Sequence, residues 1–385
     1  MDSPSGTDVL NVPGTRTVSF GNGKPEQRHF APSGKDGILL MPIDDLWHTA
    51  DGWNDASDRT GYNFVDLFSG AGGLSCGLAM AGLNPVASVE IMDVAASTYA
   101  RNFSKKGFDG HVETGDIRLP ETKERLYGSV EGKHIHLIAG GFPCQGFSMA
   151  GNRIVDDPRN GLYKEMKEIV RTLRPETVVM ENVEGILSML DGKVMEKIIG
   201  DYRDIGYKVD AALLNSADYG VPQTRRRVIF VGNRIGMSNY HPEPIVKDGH
   251  YATLGSAIAK FMNIPDDPSI NHVRVRHSPE IRKRMAEVPE GKSLYPNYTE
   301  TCMKSPWNKP SCTIKGNHGC TNIHPKEPRC LTARECAALQ SFPDDFIFEG
   351  SKGSQLLQIG NAVPPLLGKA VGLTVRKMLD CSGSR

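Results

Sequence analysis

The sequence predicts an α/β protein, in which a doubly wound, mostly parallel sheet is joined by a second, smaller domain of irregular or β-rich build. Two observations carry this prediction. Short apolar runs of strand length alternate with stretches of helical length from residue 62 onward. After residue 236 the alternation stops, and residues 239–328 are rich in Pro, Asn, His and Lys. Strands that alternate with helices form right-handed crossovers and lie parallel in one sheet.

The alternation defines the predicted elements in order. Strands are predicted at 64–68, 85–90, 134–139, 177–180 and 227–231, and helices at 74–81, 94–103, 162–173 and 194–205. Later helices are predicted at 279–288, 332–340 and 364–379. Two prolines open the last one, where the first turn of a helix tolerates them. Ligands of such sheets bind at the carboxyl ends of the strands.

Three regions follow from this pattern. Residues 1–60 are rich in Pro, Gly, Asp and Ser with little periodicity, so we predict a partly disordered N-terminal extension. Residues 61–236 form the predicted catalytic and cofactor-binding domain, which residues 355–381 complete. Residues 237–354 form the smaller domain.

Composition excludes several protein classes. The 385 residues include 39% hydrophobic side chains, which is typical of a folded protein rather than a disordered or fibrous chain. We find no apolar run of membrane-spanning length and no secretory signal. The eight cysteines contain no CxxC pair, and the spacing of Cys302, Cys312, Cys320 and Cys330 does not match a zinc site. We therefore predict an unexported protein that holds no metal.

Charge is balanced overall but unevenly distributed. The chain carries 45 basic and 45 acidic residues. Residues 1–60 contain five basic and nine acidic side chains, whereas residues 271–330 contain eleven basic and five acidic ones. A stretch with a net charge of +6 is either a solvated surface or a site for an anionic ligand, and charge alone does not decide between them.

A strand, a glycine-rich turn and a helix follow one another over residues 64–81. Glycines let the backbone approach a ligand, and the free N–H groups of the helix face it. A dinucleotide fingerprint would need glycine where Ser75 stands, which disfavours an NAD site. Glu90 ends the next strand and Asp116 follows a third short segment, so both offer hydrogen-bond acceptors. A phosphate would require cations at this place, whereas acidic acceptors suit a neutral nucleoside. The pattern therefore predicts an adenosyl ligand that lacks phosphates.

A second group of residues suits nucleophilic chemistry. Cys144 lies in a glycine-rich loop after the strand at 134–139, which presents it to the cleft. A thiol has a pKa of roughly 8.5, so it needs cations or amides nearby to act as a thiolate. Glu181 ends the next strand at the same edge. Arg225 and Arg227 fall on one side of the strand that follows, and two guanidinium groups suit a carbonyl oxygen or a phosphate.

Six segments, taken together and in this order, resemble the motifs of the DNA (cytosine-5)-methyltransferases of the prokaryotic restriction-modification type. They are DLFSGAGG at 66–73, FPCQ at 142–145, ENV at 181–183, QTRRR at 223–227, RCLTARE at 329–335 and QIGNAVPP at 358–365. The resemblance extends over residues 61–379. It implies the Rossmann-like fold of methyltransferases that depend on S-adenosylmethionine.

The resemblance also implies roles for individual residues. Cys144 is the expected nucleophile, which adds to carbon 6 of cytosine, while Glu181 hydrogen-bonds or protonates the ring nitrogen N3. Arg227, with Arg225, is expected to hold the carbonyl at carbon 2. S-adenosylmethionine is the implied cofactor and S-adenosylhomocysteine the product. The residues implied for the cofactor site are Asp66, Phe68, Gly70, Gly72, Gly73, Leu74, Glu90, Asp116, Ile117, Pro143, Leu162, Asn361, Ala362 and Val363.

The implied substrate is a flipped-out cytosine in a specific sequence of double-stranded DNA. Residues 237–354 correspond to the target recognition domain of the family, which gives the basic stretch a reason to bind phosphates. The expected DNA contacts are Gln145, Ser148, Arg225, Arg282, Lys283 and Arg284. We expect a monomer that acts in a prokaryotic cytoplasm, or in the nucleus of a eukaryote. Because the resemblance is to methyltransferases of the restriction-modification type, a cognate restriction endonuclease that acts on the same site is a possible partner.

Two other functions remain open. A tRNA cytosine-5 methyltransferase of the same fold carries Pro-Pro-Cys-Gln where this chain has Phe142-Pro-Cys-Gln, so the motif favours DNA. A catalytically silent DNA-binding relative is expected to have lost Cys144, Glu181 or the adenosyl loop, and this sequence retains all three.

Overall fold

The computed structural model describes residues 16–18, 38–143, 161–246, 249–295, 297, 302–316 and 322–383. Its strands are β1 (Arg16–Val18), β2 (Ile38–Met41), β3 (Asn63–Leu67), β4 (Asn84–Glu90), β5 (His111–Thr114), β6 (Leu137–Gly140), β7 (Thr177–Val183), β8 (Lys208–Asn215), β9 (Arg226–Asn233) and β10 (His241–Pro242). Its α-helices are α1 (Asp44–Trp47), α2 (Gly73–Met80), α3 (Asp93–Lys105), α4 (Pro120–Ser129), α5 (Leu162–Leu173), α6 (Lys193–Arg203), α7 (Leu254–Ile258), α8 (Pro279–Glu287), α9 (Ala333–Leu339), α10 (Lys352–Asn361) and α11 (Pro365–Ser382).

Seven strands form the central sheet in the order β5-β4-β3-β6-β7-β9-β8. The strands from β5 to β7 run parallel, and β9 pairs antiparallel with both β7 and β8. The chain first builds outward from β3 through β4 to β5, and later builds the other side through β6 and β7. The strand order therefore reverses between β3 and β6, which opens a crevice at their carboxyl ends.

Helices cover both faces of this sheet. Alternation along β3 directs Val65 and Leu67 to one face and Phe64 to the other. The first face packs against α4, α5 and α6. The second packs against α2 and α11, so the C-terminal helix lies directly beside the helix that follows the first strand of the sheet.

The predicted α/β class with a mostly parallel sheet is confirmed. The helix predicted at 162–173 is observed as α5, and most other predicted elements differ from the observed bounds by one to three residues. The prediction missed α4, β8 and α10, as well as the short elements β1, β2, β10, α1 and α7, and it gave no bounds for β5. In α4 only Thr122 and Leu126 are buried, so the helix has almost no apolar periodicity to recognise.

Part of the predicted N-terminal extension is packed into the protein. Ile38, Met41 and Ile43 are buried in the cluster that holds α2 and α11. Trp53 is 1% exposed, and its ring lies 5.0 Å from that of Phe103 in an edge contact. The predicted boundary at residue 60 is therefore not a boundary of the packed core. Residues 1–15 and 19–37 lie outside the described residues.

The region from 237 to 354 packs in two ways. Leu254, Ile258 and α9 share one hydrophobic cluster with Tyr99 and Phe103 of α3, so this part is joined to the sheet domain. A separate small cluster is formed by Met285, Leu294, Cys302, Ile323 and Cys330. Apart from β10, which pairs with β2, and from α7, α8, α9 and the start of α10, the described part of this region contains short 3-10 turns and isolated bridges rather than a sheet of its own. The limits of a separate recognition domain stay a prediction.

Because α2 packs closely on α11, adding a single methyl group to α2 at this contact should destabilise the protein. A Cβ atom on Gly77 would lie 2.2 Å from the carbonyl oxygen of Pro365, so we expect Gly77→Ala to lower the free energy of unfolding by about 1–3 kcal/mol. Gly200 in α6 is the control, because nothing lies within 4 Å of its Cβ position, and Gly200→Ala should be neutral or stabilising by up to ~1 kcal/mol. Urea unfolding measures both. Equal effects of the two substitutions would contradict this packing.

Candidate functional site

A cleft of about 740 Å³ opens at the carboxyl ends of β3, β4, β6 and β7. Thirteen of the predicted cofactor residues line it: Asp66, Phe68, Gly70, Gly73, Leu74, Glu90, Asp116, Ile117, Pro143, Leu162, Asn361, Ala362 and Val363. Glu181, Arg225 and Arg227 line the same cleft. The structure thus brings together residues from both ends of the chain, while their roles stay predictions.

Glu90 presents a fixed carboxylate to this cleft. One of its oxygens accepts a hydrogen bond from the backbone N–H of Gly70 at 2.8 Å, and the other accepts one from that of Met92 at 2.9 Å. Each carboxylate oxygen keeps further acceptor capacity. Among the described residues Glu90 has no ion-pair partner, so the carboxylate is free to accept hydrogen bonds from neutral hydroxyl groups of a ligand.

Asp116 lies at the edge of the cleft and is held by Arg118. The Arg118 Nε lies 2.9 Å from one carboxylate oxygen and 3.0 Å from the other. Hydrogen bonds from this guanidinium lower the pKa of Asp116 below its usual value. The carboxylate is therefore charged at neutral pH and oriented to accept a further hydrogen bond.

Asp66 is a buried acid in the wall of the cleft. It is 1% exposed and accepts a hydrogen bond from the Ser75 hydroxyl at 2.5 Å, and the Tyr99 hydroxyl donates to Ser75 at 3.0 Å. Burial raises the pKa of Asp66 to about 7, with a further contribution from the negative charge of Glu90, while the bond from Ser75 opposes the shift. This carboxyl group therefore titrates near neutral pH.

Gly72 is the one predicted cofactor residue that does not line the cleft. Its φ is +89°, and a Cβ atom there would lie 2.7 Å from ring atoms of both Tyr99 and Phe103. Glycine is required here for the turn into α2 and for its packing against α3. A role for Gly72 in cofactor binding is thus confined to shaping the turn.

Glu181 and Arg227 form an ion pair across two neighbouring strands. The distance from Arg227 Nε to Glu181 Oε1 is 2.9 Å, and the two side chains are 13% and 12% exposed. Burial raises the pKa of Glu181 above its usual value, and the positive charges of Arg227 and Arg225 oppose this shift. An acid with a raised pKa is suited to donating a proton to a bound base.

The loop after β6 begins next to this ion pair. A Cβ atom on Gly141 would lie 3.0 Å from Glu181 Oε2, and the Asn182 side-chain amide donates to the carbonyl oxygen of Phe142 at 3.0 Å. The strand β7 therefore positions both Glu181 and the start of the loop. Cys144, the predicted nucleophile, is the next residue after Pro143 and lies outside the described residues, as do Gln145 and Ser148.

Arg225 is more deeply buried than its predicted role suggests. Its side chain is 1% exposed, and its guanidinium donates to the backbone carbonyls of Ile314, Gly360 and Ala362 at 2.9–3.0 Å. Burial lowers the pKa of Arg225 to about 9, with a contribution from the positive charge of Arg227, so the group remains protonated at neutral pH.

The predicted DNA contacts on α8 lie at the surface. Arg282, Lys283 and Arg284 are exposed, and Met285 anchors the helix in the small hydrophobic cluster of its region. The Arg284 guanidinium lies 5.6 Å from the centre of the Tyr295 ring. These side chains are accessible to a phosphate backbone.

Sequence reasoning missed several residues that line the cleft. Ile91 and Met92 follow β4 and are 60% and 37% exposed, and Leu357 and Gln358 of α10 line the opposite side. Ile91 and Met92 stand directly after Glu90, so two large hydrophobic residues following a predicted ligand acceptor were a signal available in the sequence. Nothing in the local pattern indicated Leu357, because α10 itself was not predicted.

No group of three or more His, Cys, Asp or Glu side chains is placed to hold a metal ion among the residues that the structure describes. Within those residues no helix has both the length and the apolar character needed to cross a bilayer.

The sequence is similar to a known family and to bacterial enzymes. The family described as C-5 cytosine-specific DNA methylase matches residues 62–377. The type II methyltransferase M1.HphI of Haemophilus parahaemolyticus is 39% identical over 330 residues, which cover 82% of this chain and 87% of that protein. The type II methyltransferase M.DdeI of Desulfomicrobium norvegicum is 34% identical over 370 residues, covering 80% and 87%.

Solved structures show the same fold. A protein described as a DNA modification methyltransferase encoded within a prophage of E. coli superposes with a TM-score of 0.65 at 26% identity, and the match covers 83% of this chain and 99% of that one. The methyltransferase EhMeth of Entamoeba histolytica superposes with a TM-score of 0.61 at 17% identity, again over 83% of this chain and 99% of the other.

The buried Asp66 predicts a specific dependence of stability on pH. Its pKa is raised from 3.8 to about 7 on folding, so the stability that the neutral acid confers is fully present below pH 3.8 and lost as the pH rises through about 7. We expect the free energy of unfolding of the wild type to fall relative to that of Asp66→Asn by up to ~1.4 kcal/mol per pH unit within this window. Urea unfolding of both proteins between pH 4.5 and 8 tests this. If the free energies of unfolding of the two proteins changed in parallel with pH, the pKa of Asp66 would not change on folding, and this prediction would be wrong.

Proposed function

The chain belongs to the C-5 cytosine-specific DNA methylases, and from this membership we propose how its residues transfer a methyl group to carbon 5 of cytosine in DNA. The observation that carries the mechanism is the arrangement at the mouth of the cleft. There the Glu181–Arg227 ion pair lies against Gly141, at the start of the loop that leads to Cys144. Glu181, Arg227 and the start of the loop that leads to Cys144 thus lie at the same edge of the sheet.

Cys144 is the proposed nucleophile. Carbon 5 of cytosine is a poor nucleophile until a thiolate adds to carbon 6 and makes the ring enamine-like. Glu181 protonates or hydrogen-bonds N3 as the Cys144–carbon 6 bond forms, so that negative charge does not build up on the ring. After carbon 5 has taken the methyl group, loss of its proton and β-elimination return Cys144 as a thiolate.

Arg227 has two proposed tasks. Its Nε holds the Glu181 carboxyl in place at 2.9 Å. Its Nη1 donates to the carbonyl oxygen of Arg226 at 2.7 Å, and because Arg227 lines the cleft, its remaining donors suit the carbonyl oxygen at carbon 2 of the base. One side chain would then orient both the proton donor and the pyrimidine ring.

The cleft fits S-adenosylmethionine, the cofactor that this family generally uses. Bound there, it supplies a methyl group activated on a sulfonium. Glu90, with two amide-anchored oxygens and no cation beside it in the described structure, is the proposed acceptor for the ribose hydroxyls. Asp116 is the proposed acceptor for the adenine amino group, and Asn361–Val363 close the cleft from the C-terminal side.

The substrate is DNA, and we propose that the target cytosine is flipped out of the duplex. A base within the stack cannot offer its two faces to a thiol and to a methyl donor, because its neighbours in the duplex cover both. The exposed basic side chains of α8 are proposed to contact phosphates. The named relatives are bacterial type II methyltransferases, which favours a monomeric enzyme of a bacterial cytoplasm, with a cognate endonuclease, over a nuclear one.

Replacing the nucleophile should separate chemistry from binding. We expect Cys144→Ser to lower kcat by roughly 10³-fold or more, because a hydroxyl is a far weaker nucleophile than a thiolate. The dissociation constant for S-adenosylhomocysteine, measured by calorimetry, should stay within about twofold of the wild-type value. Loss of cofactor affinity in a folded variant would count against this assignment.

Replacing the proposed ribose acceptor should have the opposite effect. Glu90→Ala removes a charged hydrogen-bond acceptor, so we expect S-adenosylhomocysteine to bind roughly 10- to 100-fold more weakly. Glu121→Ala, at an exposed position of α4 outside the cleft, is the matched control and should bind as the wild type does. Unchanged affinity in Glu90→Ala would remove Glu90 from the cofactor site.

The reaction itself is tested with S-adenosylmethionine, a long duplex of mixed sequence and bisulfite sequencing. Protected cytosines that share one short sequence are the expected result, and they identify the recognition site. A folded protein that binds the cofactor but protects no cytosine in DNA would contradict the proposal, and tRNA is the substrate to try next.

A further inference from the structure

A single buried arginine connects three separate parts of the site. Arg225 lies immediately before β9 and is 1% exposed. Its Nη1 donates to the carbonyl oxygen of Ile314 at 3.0 Å, and its Nη2 donates to those of Gly360 at 2.9 Å and Ala362 at 3.0 Å. These three bonds commit both terminal nitrogens of the guanidinium to backbone carbonyls, so neither is fully available to a base or a phosphate, while the buried Nε has no hydrogen-bond partner among the described residues.

The three carbonyls belong to two different functional regions. Gly360 and Ala362 flank Asn361, and all three line the cofactor cleft. Ile314 lies within the basic stretch 271–330 and is buried in the hydrophobic cluster that also holds Leu254, Ile258 and α9. Arg225 therefore bonds simultaneously to the wall of the cofactor cleft and to the buried core of the region that is proposed to carry the DNA contacts.

These two regions are also in direct contact. A Cβ atom on Gly360 would lie 2.2 Å from the backbone nitrogen of Gly316, and one on Gly316 would lie 2.3 Å from the side-chain oxygen of Asn361. Backbones this close cannot shift independently, because neither has room to move toward the other. Any displacement of Asn361 toward Gly316 would therefore have to be accommodated by residues 314–316.

A neighbouring glutamine strengthens the same connection. The Gln223 side-chain oxygen accepts a hydrogen bond from the backbone N–H of Ile314 at 2.8 Å, and its amide donates to the Gln340 side chain at 2.9 Å. Two residues after Arg225, Arg227 pairs with Glu181. The short segment 223–227 therefore contacts Ile314, the residues 360–362 that line the cleft, and the proposed proton donor Glu181.

We infer that Arg225 is a positioning residue that couples cofactor binding to DNA binding, and that it does not contact the target base. The inference rests on the proposed function, because it concerns the same cleft. Coupling of this kind is reciprocal, so a cofactor that tightens DNA binding must itself bind more tightly in the presence of DNA. Both effects should depend on the three hydrogen bonds that Arg225 donates to backbone carbonyl oxygens.

The chain offers a matched control in Arg334. This side chain is also 1% exposed, and its Nη1 donates to the backbone carbonyls of Asp344 and Phe346 at 2.9 Å, within its own region of the chain. Arg334 does not line the cleft. Arg334→Met therefore removes a buried guanidinium and its carbonyl bonds without touching the proposed connection.

The test measures the coupling factor, defined as the ratio of the DNA dissociation constants without and with saturating S-adenosylhomocysteine. A fluorescent duplex that carries the site found by bisulfite mapping serves as the probe. We expect a factor of roughly 5 or more in the wild type and in Arg334→Met, and a factor near 1 in Arg225→Met. In Arg225→Lys we expect an intermediate factor, because one ammonium group cannot reproduce a planar guanidinium across three carbonyls.

The outcomes are distinguishable. A merely structural role of Arg225 would lower the melting temperature and both affinities but leave the coupling factor at its wild-type value, which would overturn the inference. A factor near 1 in the wild type would overturn it as well. If Arg225→Met does not fold, Arg225→Lys decides, and a wild-type factor in that variant contradicts the inference. Absence of methylation by the wild type would instead count against the proposed function.

Discussion

The return of the C-terminal segment onto the first helix of the sheet domain is the constraint on which the site depends. The α2 and α11 backbones approach so closely that a Cβ atom on Gly77 would meet the carbonyl oxygen of Pro365 at 2.2 Å. Because α11 is held there, the residues before it, Asn361–Val363, must lie across the carboxyl ends of the first strands. Residues separated by nearly 300 positions thus form one cleft, and loosening this contact would open the cofactor wall.

Charge divides the cleft into two parts with different chemistry. On the side of β3 and β4, Glu90 and Asp66, whose pKa is raised to about 7, offer acceptors, and Asp116 is oriented by Arg118. On the side of β7 and β9, Arg227 donates to Glu181 and holds its carboxyl group where it can give a proton to a bound base. The first arrangement suits an adenosyl group and the second a polar ring. A methyl donor and its acceptor would therefore meet between them.

Much of this could be predicted from local sequence, and the remainder depends on contacts that local sequence does not encode. Glu90 and Asp116 were identified because each follows a recognisable strand, and a strand end fixes where a side chain emerges. Arg225 was identified as part of a motif, but its carbonyl partners lie 89 to 137 residues away, and no spacing rule finds them. The packing of Ile38 and Trp53 was missed for the same reason, since a short apolar patch without periodicity does not show what it contacts.

In the proposed mechanism Cys144 forms a covalent bond to the target base beside Glu181. A duplex that carries 5-fluorocytosine at the recognised position tests this directly, because fluorine cannot leave carbon 5 as a proton does, and β-elimination is blocked. With S-adenosylmethionine present, we expect a protein–DNA adduct that survives denaturation and maps by mass spectrometry to the peptide containing Cys144. An enzyme that methylates the ordinary duplex but forms no adduct with the fluorinated one, or forms it at another residue, would contradict this mechanism.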